Sequence, residues 1–299
     1  VDANLINFAV IMKKAPMWNS ITEVAKNCAL LGKGLVKMAV ESRPCGISLS
    51  AAERPLVIMA NGPSLADAMK NHAASLEHCD LMAVNFAANA EEFYRFRPQG
   101  YVMADPHFFN PGGDGNVARL WENIARKVDW PMTLYVPARM ARRIPREVTS
   151  AGHVRIERFN PVGVEGFGWF ERMAYKSGLG MPRPRNVLIA AIMIGLKAGY
   201  REIYLAGADH SWTRTLEVDE NNMVVTVQPH FYKESESEKK RVTSLYSNIR
   251  LHDMMLSFHI AFRAYHRIRR YADAIGARIY NSTHGSFIDA FPRRPLPEP

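Results

Sequence analysis

An α/β fold with a mostly parallel sheet is predicted by three features of the 299-residue sequence. Short apolar runs alternate with helical patterns along most of the chain. Each run has the length of a strand buried on both faces. A polar residue closes most of the runs. Such alternation builds a parallel sheet with helices on both faces, because each crossover must carry the chain back before the next strand begins.

The first run, Leu56-Val57-Ile58-Met59-Ala60, follows Arg54-Pro55 and opens the organised domain, residues 51–299. The turn Asn61-Gly62-Pro63-Ser64 leads from it into a helix expected from Leu65. Leu81–Val84 is expected to be a second strand ending at Asn85, and Tyr101–Ala104 a third ending at Asp105. Met132–Val136 reads as a fourth strand, Val187–Ala198 as an apolar helix, and Glu202–Ala206 as the fifth strand. From about Thr243 to Ile275, Leu251, Met255, Phe258, Phe262, Tyr265 and Ile268 share one side of a long helix that Gly276 stops. Arg278-Ile279-Tyr280 is a last strand, ending at Asn281. The whole is expected to be Rossmann-like.

Residues 1–50 read as a helical appendage. Ile21, Val24, Ala25, Leu31, Leu35 and Met38 recur at helical spacing, with Lys26, Lys33 and Lys37 among them, until Pro44 and Gly46. Such a segment is a packing helix, or a basic amphipathic surface that meets acidic lipid or a partner.

Hydrophobic residues make up 47% of the chain and charged residues 22%, which excludes disorder over the whole length. The net charge of +9 favours anionic partners. The basic clusters Arg142-Arg143, Arg183, Arg185 and Arg267-Arg269-Arg270 are not interleaved with aromatics, so no nucleic-acid partner is expected. Cys28, Cys45 and Cys79 match no zinc or redox spacing and read as thiols in a reducing compartment. The longest apolar run, Val187–Leu196, falls well short of the roughly 18 residues of a membrane span. The expectation is a cytoplasmic protein, with peripheral contact to an acidic membrane surface as an option.

In parallel sheets of this kind, ligands bind beyond the carboxyl ends of the strands. Asn61, Asn85, Asp105, Asp209 and Asn281 all fall there. In the first turn, Gly62 permits a tight bend, Pro63 pre-sets one dihedral, and Ser64 is expected to cap the following helix. A helix N-terminus suits a phosphate. No G-x-G-x-x-G follows the first strand and no Walker-type loop occurs, which counts against ordinary dinucleotide and P-loop binding. Gly207-Ala208-Asp209-His210-Ser211-Trp212 gathers a carboxylate, an imidazole, a hydroxyl and an indole after the fifth strand. Asp209 and His210 lack further ligands at a metal-binding spacing. Arg185, with Asn186, stands just before the apolar helix within reach of a phosphate. Residues 213–242 are polar and irregular and are expected to form a lid. His230 and Tyr232 within it are candidates for proton transfer, with His210 and, more weakly, His284 as rivals.

Three stretches resemble a known group. Val57–Leu65, read as V-I-M-A-N-G-P-S-L, resembles the opening motif of the bacterial lipooligosaccharide sialyltransferases. It equally resembles that of the MptE-like 6-hydroxymethylpterin pyrophosphokinases and the related flagellin glycosyltransferases. Ala83-Val84-Asn85-Phe86 resembles their second motif, and Gly199–Asp209 the sialyltransferase strand before the active-site loop. The resemblance implies a glycosyltransferase that passes a sugar from a nucleotide-activated, CMP-linked donor to a glycan or lipid-linked acceptor. It implies that Asn61 and Asn85 contact the CMP, and that His230, near Tyr232, is the general base. This chain departs from the family in placing that Tyr after the His, and in having Val187 or Leu188 where the family has a Ser. Ser282, Thr283 and Ser286 resemble the hydroxyl-rich segment that closes the site. Transfer from a CMP-sugar requires no cofactor. The pyrophosphokinase alternative requires Mg²⁺, with Asp105 and Asp209 as its carboxylates; a non-catalytic nucleotide-binding module is the third reading.

Overall fold

The computed structural model describes residues 16–49, 53–110, 115–225 and 249–299. Seven strands form one sheet: β1 (Leu56–Met59), β2 (Asp80–Val84), β3 (Gly100–Val102), β4 (Met132–Pro137), β5 (Val154–Phe159), β6 (Glu202–Ala206) and, last along the chain, β9 (Arg278–Asn281). Their order is β5-β4-β3-β2-β1-β6-β9, and every pairing is parallel. From β1 the chain winds outward through β2, β3, β4 and β5, then returns to place β6 on the other side of β1. The direction of winding therefore reverses between β1 and β6. There the connections leave on opposite faces, the arrangement at which sheets of this kind hold ligands beyond their carboxyl ends.

Alternation along the buried strands sorts side chains to two faces. Leu56, Ile58, Met82, Val84 and Val102 join one core cluster, with α8 (Val187–Lys197) and α9 (Leu251–Ala274). Residues Leu188 to Leu196 of α8 are all buried, which explains a helix apolar on every side. Gly195 lets it settle on the sheet: a Cβ there would lie 2.7 Å from Leu56 and 3.2 Å from Ile203. The opposite face is covered by α2 (Ser64–Asn71), α3 (Ala73–Glu77), α4 (Glu91–Phe96) and α5 (Gly115–Lys127) through Leu65, Met69, Leu76, Phe93, Leu120 and Ile124.

The first helix, α1 (Pro16–Glu41), joins the main core through Met38. Its Gly34 faces Phe170 of α7 (Gly168–Ser177), where an added Cβ would meet the ring at 2.7 Å. The short α6 (Arg146–Thr149) precedes β5. Strand β5 is one that the apolar-run criterion does not find. It is an edge strand, Val-Arg-Ile-Glu-Arg-Phe, with Arg155 and Arg158 exposed, and its buried Glu157 accepts from the Ser48 amide at 3.1 Å and meets Arg155 at 3.2 Å.

The expected irregular structure is corrected in its first part. Residues 217–225 are not irregular: β7 (Glu217–Val218) pairs antiparallel with β8 (Val224–Val225). Asp219 builds the turn by accepting from the Asn221 and Met223 amides at 2.9 and 2.8 Å. Val224 packs with Met254 and Phe258 and so anchors the hairpin to α9. The rest of the expected lid, from residue 226 to 242, lies outside the described residues.

Because Leu205 is fully buried between the sheet and α8, Leu205→Ala is expected to lose about 2–5 kcal/mol in urea unfolding. The half-exposed Val218→Ala should stay within about 0.5 kcal/mol. Equal losses in the two variants would contradict this placement of the core.

Candidate functional site

Beyond β1 and β6, two loops run side by side. The Ala60 amide donates to Ala206 O at 2.8 Å and the Gly62 amide to Gly207 O at 2.9 Å, extending the pairing past both strand ends. This close approach depends on two glycines. Gly207 has φ +68°, and a Cβ on it would lie 2.6 Å from both Ala60 O and Leu65 Cβ. Gly62 has no unusual dihedral. Its requirement is space, because a Cβ there would lie 2.0 Å from Asp209 Oδ2 and 2.5 Å from Gly207 O.

Ser64 does not cap α2, contrary to the reading of its position. The residue preceding the helix is Pro63, which lacks a side-chain cap. The Ser64 hydroxyl instead donates to Asp209 Oδ2 at 2.7 Å and joins the two loops. The Gly62 amide is committed to Gly207, so a phosphate cannot use it.

Asp209 and His210 diverge. The carboxylate turns to Ser64, and the imidazole turns inward between Trp212, Phe262 and Tyr265, with ring centroids at 4.2, 6.5 and 5.5 Å. His210 Nε2 lies 2.6 Å from Tyr265 Oη, which lies 3.1 Å from Asn186 Oδ1. Asn186 is the N-cap of α8, and its Oδ1 also accepts from the Ile189 amide at 3.2 Å. A neutral ring that donates from Nε2 to Tyr265, with Tyr265 donating to Asn186, satisfies this chain. It fixes the first turn of α8 against the β6 loop. Burial pushes His210 from its usual 6.5 down to about 3. The ring is therefore not raised in basicity by its neighbour Asp209. His210 also sits at φ +49°, in the left-handed region.

Asn61 and Asn85 stand on adjacent strand ends. Asn61 Nδ2 donates to Val84 O at 3.3 Å. Asn85 is left-handed at φ +49°, its carbonyl accepts from the Tyr101 hydroxyl, and its Oδ1 is buried with no hydrogen-bond partner among the described residues. Past β9, two hydroxyls serve the scaffold. Thr283 Oγ1 accepts from the Ala208 amide at 2.9 Å and donates to Leu205 O at 3.2 Å, while Ser286 Oγ donates to Ala208 O at 2.6 Å. Ser282 Oγ is buried with no partner among the described residues. Arg185 is exposed immediately before α8.

The edge of β2, β1, β6 and β9 thus brings together Asn85, Asn61, Gly62, Pro63, Ser64, Asp209, His210, Ser282, Thr283 and Ser286, with Asn186 beside them. Asp105 stands apart. It follows β3 by three residues and accepts from the His107 amide at 2.9 Å, capping a short turn. Strand β3 lies three strand spacings from β6, about 14 Å. No group of three or more His, Cys, Asp or Glu side chains poised for a metal occurs among the described residues. His230 and Tyr232 lie outside them. Tyr265 is a residue of this candidate site that the sequence hid, because it falls on the apolar side of α9 at ordinary core spacing.

No protein-family model matches the chain, and no curated protein matches it in sequence. Among solved structures it is similar to the MAf glycosyltransferase from Magnetospirillum magneticum AMB-1, at 12% identity and a TM-score of 0.46. The match covers 90% of this chain and 38% of that one.

Two outcomes follow from this geometry. Gly62→Ala should cost about 1–3 kcal/mol in urea unfolding, because the neighbouring backbone oxygen cannot move aside cheaply. Gly152→Ala, with open space around it, should cost far less; equal costs would contradict the close approach. The second outcome is a pH dependence. The unfolded chain protonates His210 near 6.5, and the folded chain only near 3. Stability is unaffected by this group above 6.5 and declines as the pH falls from 6.5 toward 3. His210→Asn, which tolerates the left-handed backbone, should flatten that decline. An unchanged slope would show that the ring is not held neutral.

Proposed function

We propose that the chain is a glycosyltransferase of the sialyltransferase-like type, taking a sugar from a CMP-linked donor to a glycan or lipid-linked acceptor. One observation supports this reading above others. The three motif stretches, far apart in sequence, end on the adjacent strands β2, β1 and β6 at the reversal of the sheet. A crevice at that point is where such sheets hold nucleotides.

In this reading Asn61 and Asn85 hold the cytidine, using the amide groups that edge the crevice. Asp209, with one oxygen on Ser64, repels a phosphate laid directly on that turn. Its other oxygen suits a sugar or ribose hydroxyl. The single phosphate is then drawn toward the first turn of α8, where Arg185 waits. A cation beside a helix N-terminus is unfavourable alone by about 0.3–1 kcal/mol and becomes favourable once an anion sits between them. Asn186, pinned by Tyr265, keeps that turn in position. His230 removes the acceptor proton. The neutral, enclosed His210 is the weaker candidate for that role.

A thermal-shift screen of CMP, CDP, UDP, GDP and ATP, with and without Mg²⁺, tests the reading by mass action. Stabilisation by CMP without metal is expected; a response to ATP only with Mg²⁺ would overturn it. Asn61→Ala should weaken CMP binding by about 1–3 kcal/mol. With donor and acceptor in hand, His230→Ala should slow turnover by about 10²–10⁴-fold and leave CMP affinity intact. Unaltered turnover in that variant would return the base role to another group.

A further inference from the structure

The geometry points to α1 as a docking helix for an anionic lipid bilayer. Its inner side is spoken for: Leu31, Gly34 and Met38 pack on the domain. Its outer side is not. Ile21, Val24, Leu35, Val36 and Val40 are 49–64% exposed. At about 100° per residue they fall, with only small residues and Cys28 between them, in one uncharged arc of about 160°. Lys26, Lys33 and Lys37 line one flank of that arc, where their stems can lie on apolar surface while the ammonium groups reach lipid phosphates. Two acidic residues lie near this flank: Glu23, which meets Lys26 only at 4.0 Å with both side chains largely exposed, and Glu41 at the last residue of the helix.

Three further observations favour lipid as the occupant. The chain as a whole carries +9, complementary to an anionic surface. Trp169, on the helix against which α1 packs, is 56% exposed and stacks with Phe167, a residue type suited to the membrane–water boundary. The position also fits. Arg139, just past β4, donates to Val40 O at 2.5 Å, and Asn160, just past β5, accepts from the Arg43 amide at 2.9 Å. The C-terminal end of α1 and the residues just after it therefore sit at the carboxyl ends of β4 and β5, on the same edge of the sheet as the candidate site. A bilayer seated on α1 borders that edge, as a lipid-linked acceptor requires. Docking itself does not depend on the transferase reading, since lipid binding needs no donor.

Vesicle flotation of the full chain tests this directly. Vesicles of phosphatidylcholine and phosphatidylglycerol in equal parts should float the protein, high salt should release it, and phosphatidylcholine alone should not bind it. Replacing the three lysines together (K26Q, K33Q, K37Q) should weaken binding by about 100-fold. The matching arginine variants should retain it. Ile21→Asp with Val36→Asp should abolish binding while the urea midpoint stays unchanged, because both positions are exposed. Failure of the native chain to bind the anionic vesicles would overturn the inference. Equal binding by the α1 variants would do so as well. So would a dimer in solution that Val36→Asp dissociates, which would make a second copy the occupant.

Discussion

The approach of two loops at the reversal of the sheet is the constraint on which the candidate site depends. Backbone pairing continues past the ends of β1 and β6, from Ala60 to Ala206 and from Gly62 to Gly207. Only glycine fits at 62 and 207, for different reasons: one for space, the other for space and a left-handed backbone. Once the loops lie this close, the Ser64–Asp209 hydrogen bond is within reach. That bond turns Asp209 away from His210 and frees the ring to point inward. A tight turn and a carboxylate that look independent in sequence are therefore one structural unit.

The same economy governs the rest of the edge. Hydroxyls of Thr283 and Ser286 are consumed in tying the β9 loop to the β6 loop. Tyr265 and Asn186 are consumed in fixing α8. Buried polar groups must be paired, and these are. Asn85 Oδ1 and Ser282 Oγ are buried and lack partners among the described residues, and their residues directly follow β2 and β9. An unpaired acceptor in such a place is stabilised by a bound donor group. This contrast between consumed and unconsumed groups separates scaffold from candidate contact better than residue type does.

Much of this was legible in the sequence, where burial on both faces writes continuous apolar runs. β1, β2, β4 and β6 are such runs, and the ends of β1, β2 and β6 carry candidate site residues. β5 was not legible because an edge strand keeps charge on its open side, and its buried Glu157 is neutralised by partners distant in sequence. Ser64 was legible as a polar residue at the strand end but not in its hydrogen-bonding role. Capping is a local inference, and Asp209 is 145 residues away. The hairpin at 217–225 hid for a related reason: its anchor is Val224 on α9, a contact that no local pattern encodes. The apolar spacing of α1 announced a helix, yet only the packing of Gly34 and Met38 told which side remained open.

The central claim is that a cytidine nucleotide occupies the reversal of the sheet, between the Asn61–Ser64 turn and the first turn of α8. A crystal structure of the protein with CMP tests it most directly. The account predicts the base within hydrogen-bond distance of Asn61 or Asn85, and the phosphate nearer to Arg185 and α8 than to Asp209. A well-ordered CMP bound elsewhere, with this crevice empty, would contradict it.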